Sequence, residues 1–144
     1  MSLRPELAAI LARDTRYALP AYQFVMEALD DLERQRRRKR IQARRSPTGR
    51  VKPIAPELAS PHVSGAMLCE AVRDLANRQF GVMARTVLNH WGVYTTSDLG
   101  EIVYNLIASG NLKKSERDRR EDFDNVFDFD EVFGIIELPA AVES

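Results

Sequence analysis

Apolar side chains recur at the three- and four-residue spacing of an α-helix along most of this chain. Five stretches show the pattern: 3–11, a long one that begins near Pro20, one after Ser64, about 82–91, and one after Thr95. Valine, isoleucine and threonine do not alternate with polar residues over a useful length, so a sheet has little support. We therefore predict an all-α fold, a compact bundle of about five helices. Its predicted core includes Trp91, Leu99, Ile102, Val103 and Leu106.

Residues that favour helix ends support these boundaries. Ser64 can cap the third helix, and Thr95 with Asp98 three residues later forms a start of the capping-box type for the fifth. Gly81 and Gly110 can end the third and fifth helices, since glycine readily adopts the left-handed conformation found there.

Charge changes the picture because it is segregated along the chain. The 21 basic and 21 acidic side chains cancel, which excludes a wholly basic nucleic-acid coat protein and a wholly acidic disordered chain. Residues 34–56, however, carry ten basic side chains and no acidic ones, and residues 113–144 carry five basic against ten acidic. Each block is expected to seek opposite charge.

The basic block also divides the single predicted domain. Residues 34–61 contain four prolines and few bulky apolar side chains. Burial of so little apolar surface does not offset the backbone entropy that is lost when a segment becomes ordered, so we predict that 34–61 is a flexible basic insertion. The arginine run at its start is expected to extend the second helix, where cations suit the helix dipole. Residues 118–133 form an acidic aromatic segment, and 134–144 a tail.

Arginine gives the basic block its binding chemistry. Guanidinium groups fork onto phosphates and stack on bases, and arginine-rich disordered segments commonly order on RNA. A solvated, highly charged linker is the alternative. A second candidate for nucleic-acid binding is the pair of predicted helices 82–91 and 96–109, whose lengths resemble a helix-turn-helix motif. Residues 86–112 contain no lysine or arginine to contact phosphates, which favours an ordinary helical hairpin. The candidate nucleic-acid-binding residues are Arg34, Arg36, Arg37, Arg38, Lys39, Arg40, Arg44, Arg45, Arg50 and Lys52.

The acidic segment holds four of the six phenylalanines. The favoured interpretation is that the rings pack on the helical core while the carboxylates face water. The alternative is a partner-docking edge of aromatic anchors and negative charge. Its candidate residues are Asp122, Phe123, Asp124, Phe127, Asp128 and Phe129. A calcium-binding EF-hand loop is excluded by the residues at 126, 127 and 133.

No pattern in the sequence supports catalysis, a metal site or a cofactor. There is no phosphate-binding loop, dinucleotide fingerprint or nucleophile elbow. His62 and His90 are far apart in sequence, and Cys69 is the only cysteine, so neither a metal site nor a nucleophile–base pair can be assembled. The absence of an apolar run of about 18 residues and of a signal pattern at the N-terminus predicts a cytoplasmic protein with no membrane partner.

Several short strings occur in a recognisable order. They are Tyr22–Val25, His62–Gly65, Gln79–Gly81, Trp91–Val93, Thr96–Val103, Asp122–Phe123 and Phe127–Phe129. Together they resemble an uncharacterised family of small bacterial proteins with no assigned activity. The resemblance covers about residues 17–133 and implies a shared fold, with 34–61 as an expansion of a shorter link. It implies nothing about catalysis.

Two functions are compatible with these features. The leading hypothesis is a non-enzymatic helical protein that binds nucleic acid, with RNA or a ribonucleoprotein favoured, through the arginine-rich block. The alternative is a protein–protein interaction adaptor that docks through the acidic, phenylalanine-rich segment. The leading hypothesis rests on the bias toward arginine, since eight of the ten cations in the block are arginines.

Overall fold

Helices form every regular element in the part of the chain that the structure covers. The computed structural model describes residues 5–44, 63–110, 112 and 119–133. The helices are α1 (Pro5–Arg13), α2 (Leu19–Arg44), α3 (Gly65–Phe80), α4 (Ala84–His90), α5 (Thr96–Ala108) and the short α6 (Phe129–Val132), with 3-10 turns at Gly81–Met83 and Arg120–Phe123. The predicted all-α fold is confirmed, and these ranges contain no strand.

Helices α2 and α3 lie antiparallel and form the frame of the molecule. Polar contacts fix their register: near the start of α2, Gln79 donates to Glu27 at 2.9 Å, and further along, Arg78 pairs with Asp31. At the far end of the seam the Arg36 guanidinium contacts the Met67 sulfur at 3.9 Å. Residue numbers rise along one helix as they fall along the other, which shows the antiparallel arrangement.

The core lies where α5 crosses this frame. Leu99, Ile102 and Leu106 are at most 1% exposed and Val103 is buried beside them, so the predicted apolar face of α5 is confirmed. Trp91 differs from the prediction, because it is only partly buried. Its ring lies 5.5 Å from Phe24 and 5.7 Å from Phe80, measured between centroids.

The predicted helix ends are present. Ser64 Oγ accepts from the Met67 N–H at 3.2 Å at the start of α3. In α5, Thr95 Oγ1 accepts from the Asp98 N–H at 3.3 Å, and the Asp98 carboxylate accepts from the Thr95 N–H at 3.1 Å. These are the two reciprocal bonds of a capping box. Gly81 ends α3 with φ 54°, a conformation that favours glycine.

The C-terminal segment closes the bundle at a notch formed by two glycines. A Cβ atom on Gly65 would lie 3.1 Å from the Asp122 backbone, and one on Gly100 would lie 2.7 Å from the Phe123 Cβ. Only glycine lets the Arg120–Phe123 turn approach this closely. Beyond it, Phe129 and Phe133 are buried, so the predicted packing of this segment on the core is confirmed.

The basic insertion needs correcting over its first part. Residues 34–44, which fall within the predicted flexible segment 34–61, form the last turns of α2, as expected for the arginine run at its start. Arginine, lysine and glutamine all have good helix propensity, and Arg36 is held against α3. The remainder, 45–61, and the tail 134–144 lie outside the described residues. Among the helices that are described, none combines the length and apolar character needed to cross a membrane.

Candidate nucleic-acid interface

The C-terminal half of α2 runs past its partner helix. Helix α2 continues for eight residues beyond Arg36, whereas α3 has only two residues before Met67, the residue that Arg36 contacts. At 1.5 Å per residue, the 26 residues of α2 span about 39 Å and the 16 residues of α3 about 24 Å. The basic end of α2 therefore projects beyond the frame.

An exposed row of side chains follows the outer face of this end. Arg34, Arg37, Arg38 and Ile41 are spaced at i, i+3, i+4 and i+7, which places them on one face of a helix, and all four are exposed. Lys39 is also exposed, but it flanks this row on the side of the helix that faces α3. We call Arg34, Arg37, Arg38, Lys39 and Ile41 the cationic face.

Three consecutive members of the cationic face have no acidic partner. Arg37, Arg38 and Lys39 form no ion pair with a carboxylate among the described residues, whereas Arg34 lies 3.8 Å from Asp31. Several cations elsewhere in the described residues are paired with carboxylates. Arg16 binds Asp14, Arg78 binds Asp31, Arg85 binds Asp130, and Arg120 binds both Glu101 and Asp124. The cationic face therefore concentrates uncompensated positive charge.

Arg36 does not belong to this surface. Its side chain is 5% exposed and points along α3 toward the Met67 sulfur. Burial, with a further contribution from the like charge of Arg40, lowers the pKa of Arg36. Arg36 is therefore the least exposed of the basic-block cations whose burial is described, and its predicted role as a nucleic-acid contact stays a prediction.

The other predicted contacts have varied surroundings. Arg40 is partly buried and lines, with Glu33 and Arg37, a cleft of about 170 Å³ beside Val63. Arg44 is the last residue of α2, while Arg45, Arg50 and Lys52 lie outside the described residues. On the α3 side, a groove of about 330 Å³ brings Lys39 near Glu70 and Asp74. These carboxylates bound the positive surface on that side, so an anion is directed to the outer row.

The predicted docking edge lacks free aromatic anchors. Phe123 and Phe129 are each 5% exposed, so they are buried in the fold and do not offer aromatic surface to a partner; docking through this edge stays a prediction. Phe127 is partly buried. The carboxylates have internal roles: Asp122 accepts from the Arg119 N–H, Asp124 accepts from Ser97 Oγ at 2.7 Å, and Asp128 caps α6.

The described residues hold no constellation for metal binding. No group of three or more histidine, cysteine, aspartate or glutamate side chains in these ranges could hold an ion. Cys69 is fully buried, and burial raises the pKa of its thiol to about 12. It is therefore protonated at neutral pH and a poor nucleophile. His90 is exposed at the end of α4, and His62 lies outside the described residues.

One polar cluster was not found from the sequence. Tyr17 donates to Asp98 at 2.6 Å, and the Asn105 amide donates to Asp14 at 3.0 Å and to Tyr22 at 3.1 Å. These partners are more than 80 residues apart in the chain, so no local pattern signals them. Burial raises the pKa of Tyr22, as it does that of Tyr17. The cluster ties the connection between α1 and α2, and the start of α2, to α5.

Comparison with known proteins gave no match to a family model, a curated protein or a solved structure. The resemblance to a family of small bacterial proteins stays a prediction.

Proposed function

We propose that this protein is a non-enzymatic nucleic-acid-binding protein, with RNA favoured, and that the cationic face of α2 is its contact surface. The observation that carries the proposal is the run Arg37, Arg38 and Lys39, which is exposed and has no carboxylate partner among the described residues. Adjacent like charges on a helix repel one another. A row of phosphates relieves that repulsion and releases counterions, which drives binding.

The residue types favour phosphate and base contacts over simple solvation. Arg34, Arg37 and Arg38 each present a planar fork that can bond two phosphate oxygens or stack on a base. Ile41 is 45% exposed in the same row and offers an apolar contact to a sugar or base. Single-stranded RNA supplies both phosphates and unstacked bases, and for that reason we favour it over a duplex.

The direct test is the affinity for a labelled single-stranded RNA, measured by fluorescence anisotropy at low salt. The double variant Arg37→Gln/Arg38→Gln is expected to bind about tenfold more weakly, since two phosphate contacts are lost. Its melting temperature is expected to stay unchanged, because both side chains are exposed.

The matched control is Arg13→Gln/Arg73→Gln, which removes the same charge from α1 and α3. Arg13 is exposed, and Arg73 pairs only with its sequence neighbour Asp74 at 3.2 Å, a type of contact that adds little stability. The control is expected to bind within about twofold of the parent protein. Absence of binding at low salt, or equal loss in both variants, would contradict the proposal.

A further inference from the structure

A groove lined by acidic and aromatic side chains lies apart from the cationic face. It has a volume of about 500 Å³ and separates the start of α5 from the turn that leads into α6. Its principal side chains are Tyr94, Asn125, Phe127, Asp128 and Glu131. We call this the acidic groove. None of these residues belongs to the cationic face or to the polar cluster described above.

The walls of the groove are held by the fold. Asn125 adopts a left-handed conformation with φ 53°, which asparagine tolerates better than most residues. The turn it forms lets the Val126 N–H donate to the buried Thr96 hydroxyl at 3.2 Å. The Phe127 ring then packs 5.9 Å from Phe129, measured between centroids. The groove is therefore preformed.

Two carboxylates of the groove are uncompensated. Asp128 and Glu131 are exposed and form no ion pair within the described ranges. Their neighbours differ, since Asp130 pairs with Arg85 and Asp124 pairs with Arg120. Tyr94, 60% exposed, and the partly buried Phe127 add aromatic surface. Carboxylates beside aromatic rings are the surroundings that bind guanidinium groups, through forked hydrogen bonds and cation–π contacts.

We infer that the acidic groove binds the cationic face of a second copy of this chain. The cationic face offers Arg37 and Arg38 to the two carboxylates, and exposed Ile41 to the aromatic rings. The chain therefore carries two complementary surfaces, each with charges that have no ion-pair partner in the part of the chain that the structure describes.

The arrangement of the helices makes the contact intermolecular. The segment that forms the acidic groove runs from the start of α3, where Asp122 meets Gly65, to Arg85 just beyond that helix, where Asp130 is paired. The cationic face lies toward the start of α3, where Arg36 meets Met67. In the described ranges, Arg37 and Arg38 form no ion pair with Asp128 or Glu131. Their row lies on the side of α2 opposite to Arg36, which packs against α3, so it faces away from its own bundle and we assign the contact to a second copy. The contact is head-to-tail and leaves a free surface at each end.

The first experiment is sedimentation velocity on nuclease-treated full-length protein. At low salt, the weight-average mass is expected to rise above the monomer mass of 16.3 kDa as the concentration increases. At high salt it is expected to return to the monomer value, because exposed charges are then screened. A protein that stays monomeric at low salt and high concentration would overturn the inference.

The second experiment uses two complementary variants. Asp128→Asn/Glu131→Gln removes the charge of the groove while keeping a side chain able to cap α6, and Arg37→Gln/Arg38→Gln removes charge from the cationic face. Each variant alone is expected to remain monomeric. An equimolar mixture is expected to form a heterodimer of twice the monomer mass, because each partner then supplies the one intact surface that the other lacks.

The control is Glu27→Gln/Glu121→Gln, which changes the net charge equally at exposed positions outside the groove, and it is expected to associate like the parent protein. A groove variant that still associates, or a mixture that stays monomeric, would overturn the inference. The inference does not rest on nucleic-acid binding. The groove variant keeps the cationic face and is expected to retain RNA affinity, so the two proposals can fail separately.

Discussion

Arg36 and Arg37 are adjacent and chemically identical, but the fold gives them opposite surroundings. One helical step rotates a side chain by about 100°. That rotation places Arg36 at 5% exposure beside Met67 and leaves Arg37 exposed. A charge count treats the two residues alike. The register of α2 against α3 determines which of the two cations is buried and which is exposed.

This difference predicts unequal effects on stability. Arg36→Ala is expected to lower the free energy of unfolding by about 1–3 kcal/mol, since it removes the packing of a buried aliphatic stem. Arg37→Ala is expected to change it by less than about 0.5 kcal/mol. Urea unfolding followed by circular dichroism measures both. Equal effects in the two variants would show that Arg36 does not pack against α3.

Asp14 predicts how stability depends on pH. The Arg16 guanidinium, with help from the Asn105 amide, holds the pKa of Asp14 well below its usual value of 3.8. A lowered pKa in the folded state stabilises the fold above the unfolded value, and this stabilisation is lost as the pH falls through the folded value. Between about pH 5 and pH 2, therefore, Asp14→Asn is expected to show a shallower decline in unfolding free energy than the parent protein. If the unfolding free energies of the two proteins fell in parallel with pH, Asp14 would not contribute to the pH dependence of stability.

At the scale of elements, the glycine notch decides how the C-terminal segment docks. At a solvent-exposed position inside a helix, replacing glycine with alanine raises the free energy of unfolding by about 1 kcal/mol, because alanine has the higher helix propensity. Gly100 is in α5, but a Cβ there would lie 2.7 Å from the Phe123 Cβ and 2.9 Å from its Cγ. Contacts this short require the Arg120–Phe123 turn to move.

Gly100→Ala is therefore expected to destabilise the protein by about 1–3 kcal/mol, as overpacking does. Thermal unfolding followed by circular dichroism shows directly whether the variant is less or more stable than the parent protein. A stabilised variant would mean that the turn does not rest on Gly100.

The sequence predicted those elements whose signals are local. The capping box of Thr95 and Asp98, the cap at Ser64 and the apolar face of α5 each depend on residues within a few positions of one another, and all are present. The extension of α2 into the arginine run was predicted, but its end at Arg44 was not. Low apolar content in residues 34–61 suggested disorder, but the helix propensity of arginine, lysine and glutamine carries α2 to Arg44.

At the scale of the whole molecule, the basic block could be predicted but its free cations could not. Whether a basic side chain is left without an ion-pair partner depends on carboxylates that are distant from it in sequence. Arg78 reaches Asp31, 47 positions away, and Arg85 reaches Asp130, 45 positions away. The same limit explains the acidic groove, which joins residues near 94 to residues near 128. Sequence locates the charge, and the fold determines which charges remain for a ligand.

The salt dependence of RNA binding tests the central claim most directly. Each phosphate contact on a single strand contributes roughly −0.7 to the slope of log K against log salt concentration. The three cations of the outer row, Arg34, Arg37 and Arg38, therefore predict a slope of roughly −2 or steeper. In Arg37→Gln/Arg38→Gln the slope is expected to be shallower by about 1.4, with no change in the Arg13→Gln/Arg73→Gln control. A slope that is the same in both variants and the parent protein would contradict the account.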